Sequence, residues 1–76
     1  MAPIFTTELD VNGQPATYHV IFNEGKYIFQ PEGSSTNASE FSIIREHDEW
    51  QVQGSVAEEV KKQGLAKLED YLLAQL

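Results

Sequence analysis

The chain has 76 residues, twelve Asp and Glu against five Lys and Arg, and no cysteine. That is enough sequence for a single domain, 1–76. The composition excludes disulfides and thiolate metal sites, and a formal charge of −7 disfavours nucleic acid and anionic membrane surfaces as partners.

A domain of this size hides only a little over ~60% of the surface its unfolded chain exposes. Small domains are usually helped by disulfides, metals or oligomerisation. With thiols absent, oligomerisation gains weight. The N-terminal residues Met1 to Glu8 carry no basic leader and no long apolar run. No stretch approaches the ~20 apolar residues of a membrane span. The expectation is a soluble, cytoplasmic protein. Eight of the acids precede residue 56, against Lys26 and Arg45 alone, so the negative field belongs to the first part of the chain. It would favour a basic partner protein, or serve solubility alone.

Taken in order, the first clear local signal is Val11-Asn12-Gly13-Gln14. Asn-Gly between two alternating runs suits a two-residue hairpin turn, where both central residues need positive φ. This register sets Leu9 opposite Ala16, Thr7 opposite Tyr18, Phe5 opposite Val20 and Ile4 opposite Ile21. Pro15 falls near the start of the second strand, where a missing N–H is tolerable. Asn23-Glu24-Gly25-Lys26 predicts a second turn. A two-residue loop pairs Phe22 with Tyr27 and Ile21 with Ile28. A three-residue loop would slip the register and bring Lys26 to the core face.

Pro31 to Ser39 reads as loop by composition. Glu40 to Glu46 predicts a fourth strand, His47-Asp48-Glu49 a turn, and Trp50 to Gln53 a short fifth strand. Ser55-Val56-Ala57-Glu58 matches a capping box. It predicts a helix over 56–74, with Val56, Val60, Leu68, Tyr71 and Leu72 on one stripe and Leu65 at its margin. Gly64 lies mid-stripe and signals close approach of helix to sheet. The strand region is 3–53. The fold class is α+β: an antiparallel four- to five-stranded β-meander with one C-terminal helix packed on one face.

Reading each strand with period two sorts the apolar residues onto two faces. One face collects Phe5, Tyr18, Phe22, Tyr27, Phe29, Phe41 and Trp50, and reads as core. The other is polar apart from Ile4, Ile21, Ile28 and Ile44. On a simple meander those four isoleucines form a row that no helix covers. An apolar centre with a polar rim is how interfaces are built, although isoleucine also serves strand propensity.

Catalytic and ligand motifs are not evident. Arg45 to Glu49 is dense in charge, but neighbouring turn residues rarely converge on one ion. His19 belongs on the outer face, far along the chain from His47, so no metal-ligand spacing exists. No nucleophile elbow and no phosphate loop occurs. Asn37-Ala38-Ser39 fits a glycosylation sequon by chance. No cofactor is implied.

The functional expectation is a small non-enzymatic interaction module. It would self-associate as a homodimer through Ile4, Ile21, Ile28 and Ile44 on the outer sheet face. The alternative is an acidic inhibitor or immunity-like protein for a basic partner. A carrier of an apolar ligand near Gly64 is a third reading, and an enzyme a fourth.

Overall fold

The computed structural model describes residues 2–33 and 38–76. Five strands follow one another: β1 (Phe5–Val11), β2 (Gln14–Asn23), β3 (Lys26–Pro31), β4 (Phe41–Glu46) and β5 (Glu49–Gln53). One helix, α1 (Glu58–Ala74), completes the chain. The sheet order is β1-β2-β3-β4-β5, every pair antiparallel. This is the α+β meander expected from the sequence.

Three turns set the registers. Asn12 and Gly13 have φ of 54° and 81°, Glu24 and Gly25 of 51° and 78°, His47 and Asp48 of 51° and 64°. All three are two-residue turns with positive φ at both positions, whose twist matches that of the flanking strands. The Asn-Gly register holds from Val11↔Gln14 to Phe5↔Val20. The even Glu-Gly turn also holds, pairing Phe22 with Tyr27 and Ile21 with Ile28. Lys26 therefore stays off the core face. At the third turn no glycine relieves the backbone, and His47 and Asp48 both occupy the left-handed region.

Each two-residue turn also fixes which backbone groups face which neighbour. Its closing pair is hydrogen-bonded, and bonded and non-bonded pairs then alternate. On this parity Pro15 and Pro31 both fall in non-bonded pairs with Asp10 and Tyr18. Their missing N–H groups therefore remove no bond from those ladders. The parity continues past β3, where Glu32 N–H donates to the Thr17 carbonyl at 2.8 Å.

The core lies between the sheet and α1. Leu9, Tyr18, Val20, Phe29, Phe41, Ile43 and Leu68 are almost wholly buried there. Phe29 and Phe41 stack at 4.6 Å, and Phe5 stacks on Tyr71 of α1 at 4.6 Å. Gly64 sits over the Phe41 ring. A Cβ at that position would lie 2.7 Å from Phe41 Cζ, so only glycine allows the helix this close.

Several expectations need correction, among them Glu49, which opens β5 rather than closing the turn. The helix begins at Glu58, not Val56. Ala57 is its N-cap and makes no side-chain cap bond, so the Ser55–Glu58 capping box does not form. Pro31 ends β3 rather than opening the loop, and β4 starts at Phe41. Phe22 lies on the core side but is 47% exposed, because it sits at the end of its strand beyond the reach of the helix. The strands themselves start at Phe5. Residues 34–37, in the expected loop, lie outside the described residues, as does Asn37 of the sequon.

Candidate functional site

The outer sheet face carries the expected isoleucines, but not all of them. Ile21 and Ile28 are direct cross-strand partners on β2 and β3. Ile44 on β4 pairs with Lys26 and Gln51, while Ile28 pairs with Ser42. Ile44 is therefore diagonal to Ile28, a spacing of about 7–8 Å that side chains of this length can bridge. All three are half-buried.

Ile4 is not part of this row. Its N–H donates to the Val20 carbonyl at 2.7 Å, although Phe5 already pairs with Val20. Two residues thus address one partner, the geometry of a β-bulge. The bulge turns the Ile4 side chain to the other face, where it packs against the core. Extending the hairpin register to Ile4 opposite Ile21 overlooked this. A bulge next to the chain end leaves no glycine or turn signature in the sequence.

The register places acids at both ends of the outer face. Glu8 and Asp10 of β1 flank Thr17 and Pro15 at one end. Glu46 and Glu49 pair at the other. The isoleucines lie between, with Lys26 beside Ile44.

His19 is on this face, as expected, and it is braced from both sides. Nδ1 lies 3.1 Å from Thr6 Oγ1, and Nε2 lies 3.0 Å from Glu32 Oε1. In the neutral ring, Nε2–H donates to the carboxylate and Nδ1 accepts from the threonine hydroxyl. The order hydroxyl, imidazole, carboxylate is that of a catalytic relay. Here it lies on an open sheet surface, with the Glu32 side chain 61% exposed. Water screens it, so the arrangement chiefly ties β1, β2 and the end of β3 together. His47 belongs to the third turn and is 3.9 Å from Glu46 Oε1, well away from His19. Among the described residues, no three His, Cys, Asp or Glu side chains converge as a metal site.

The helix side of the sheet reads from sequence as plain core, but it has an open end. Phe22 packs on Tyr27 at 4.7 Å, and Tyr27 meets Trp50 edge-on at 6.2 Å. The Arg45 guanidinium lies 4.8 Å over the Trp50 ring, a cation–π contact. Arg45, Trp50, Glu69, Leu72, Leu73 and Leu76 line an open cleft of about 290 Å³. Leu73 is 66% exposed there. Where the carrier reading would place an apolar ligand near Gly64, the Phe41 ring lies against the helix.

No helix among the described residues is long and apolar enough to cross a membrane. Compared with protein-family models, curated proteins and solved structures, the chain matches none.

Proposed function

We propose that the protein is a small non-enzymatic interaction module that self-associates through its outer sheet face. One observation carries this reading. Ile21, Ile28 and Ile44 form an apolar centre on a face that α1 leaves uncovered. Thr6, Thr17 and Ser42 border it, and Lys26 lies beside Ile44. Two copies packed with their strands crossed would bring the isoleucines together. Each acidic end would then face the other copy's neutral flanks. The absence of cysteine suits a reducing, cytoplasmic setting.

Sedimentation equilibrium tests the proposal. Ile21→Glu and Ile28→Glu are expected to abolish association through this face without unfolding the chain. A parent protein that stays monomeric at tens of micromolar, and is unaltered by either change, sinks it.

The acids at both ends favour a second reading, an acidic face that docks a basic protein. Such binding weakens steeply with salt. Pull-down at low and high ionic strength would separate it from self-association, which salt should strengthen by screening the acids.

A further inference from the structure

We propose that β5 pairs edge to edge with β5 of a second copy. The two strands run antiparallel about a two-fold axis at Gln51 and join both sheets into one. This does not rest on the outer-face reading, because it uses a strand edge and leaves both sheet faces as they are.

The argument begins with backbone parity. The His47–Asp48 turn makes Glu46 and Glu49 a bonded pair, so Ile44↔Gln51 and Ser42↔Gln53 are bonded too. The N–H and C=O groups of Trp50 and Val52 must then point away from β4. The same parity on β1 directs Asp10 outward, and there the Gln63 side chain meets both its N–H and its C=O. Among the described residues, no group bonds to the outward atoms of Trp50 and Val52.

The two edges of the sheet are thus unlike. β1 is clamped at Asp10, bent by the bulge at Ile4, and carries Glu8 and Asp10. These are devices that keep an edge from pairing. β5 has neither clamp nor bulge.

The β5 sequence complements itself. With the axis at Gln51, Trp50 pairs with Val52 of the second copy, and Val52 with Trp50 of the second copy. All of the strand's outward N–H and C=O groups are used. Aromatic with β-branched is a favourable cross-strand pair. Glu49 meets Gln53 rather than another acid, and the two Gln51 side chains face each other as neutral amides. On the helix side, the Trp50–Leu72–Leu73 cleft of one copy comes beside the Val52–Leu65 flank of the other.

A single thiol tests the geometry, since the chain has no cysteine. In this register the two Gln51 residues form a non-bonded pair with Cα atoms about 4.5 Å apart, within the ~4.4–6.8 Å a disulfide spans. Gln51→Cys should cross-link at least roughly tenfold faster than Glu8→Cys, an exposed thiol on the other edge strand. Gln51→Lys sets like charges opposite each other and should weaken the dimer by roughly tenfold or more. Val52→Pro deletes only an outward N–H and should weaken it likewise.

Cross-linking of Gln51→Cys no faster than that of Glu8→Cys overturns the proposal, as does a Gln51→Lys protein that sediments like the parent. If Ile21→Glu dissolves the dimer and Gln51→Lys does not, the outer face is the interface and the edge is not. The reverse result keeps the edge and removes the outer-face reading. A parent that is monomeric at tens of micromolar overturns both.

Discussion

Gln63 holds the backbone of Asp10 as a neighbouring strand would. Its Oε1 accepts from the Asp10 N–H at 2.7 Å, and its Nε2 donates to the Asp10 carbonyl at 2.8 Å. A helix side chain thereby occupies the outward position on edge strand β1. Gln63→Ala removes both bonds and should lower stability by about 1–2 kcal/mol, at the usual net value per hydrogen bond. Gln63→Glu can still accept but cannot donate, so it should recover only part of the loss. Urea denaturation midpoints would check the ranking. Gln63→Ala should also raise the tendency to aggregate, measured by light scattering, because the edge is then open.

The contact of Gly64 with Phe41 predicts a reversal of helix propensity. Alanine favours a helix over glycine by about 1 kcal/mol. At position 64, however, its Cβ would stand 2.7 and 2.8 Å from Phe41 Cζ and Cε2. The Phe41 ring cannot retreat easily, since it stacks on Phe29 at 4.6 Å and meets Tyr18 at 5.5 Å. Overpacking of this kind typically costs about 1–3 kcal/mol, so Gly64→Ala should destabilise. Phe41→Leu should relieve the clash, and a double-mutant cycle would show coupling between the two positions.

The helix start is a site for stabilisation. Ala57 has the extended N-cap backbone, φ −64° and ψ 150°, but no side chain able to cap. Ala57→Ser or Ala57→Asp should gain about 0.5–2 kcal/mol in thermal or urea melts, with Ala57→Gly as the control.

Tyr18 gives the fold an alkaline limit. Burial pushes its phenol above the ordinary tyrosine range, and the hydroxyl donates to the Ser39 carbonyl at 2.9 Å. A pKa raised in the folded state favours folding fully below the unfolded value of about 10. That contribution is lost as pH rises through the folded value. As pH rises past about 10, the ordinary tyrosine value, the parent should lose stability more steeply than Tyr18→Phe. At neutral pH the phenylalanine variant should be weaker by about 1 kcal/mol, the value of the missing bond.

How much of this was legible in the sequence depends on how local each cause is. The Asn12-Gly13 turn and the alternation around it are properties of neighbouring residues, so the first hairpin register could be read directly, while Glu24-Gly25 left two registers open and the strand order rested on a simple meander. Gly64 could be read because a glycine within an apolar helix stripe needs a reason. Ile4 could not, because a bulge changes which face a residue joins without changing its composition. The Ser55 capping box matched a pattern, but the chain leaving β5 enters the helix two residues later. The exposure of Phe22 was also hidden, since it depends on where α1 crosses the sheet. Within the candidate site, Ile21 and Ile28 were legible as partners. The outward edge of β5 needed the parity of a turn with no glycine in it.

Because the order of strands in the sheet is their order in the chain, three of the four ladders can grow from their own two-residue turns without waiting for distant segments. The contacts between Asp10 and Gln63, 53 residues apart, are of another kind. Pairings between neighbouring segments carry a smaller loop-closure cost than a contact across so long a stretch of chain. The helix is therefore the clasp of the molecule. Without it the aromatic side of the sheet would stand in water, so the cover that α1 gives is also what keeps that side from meeting other chains.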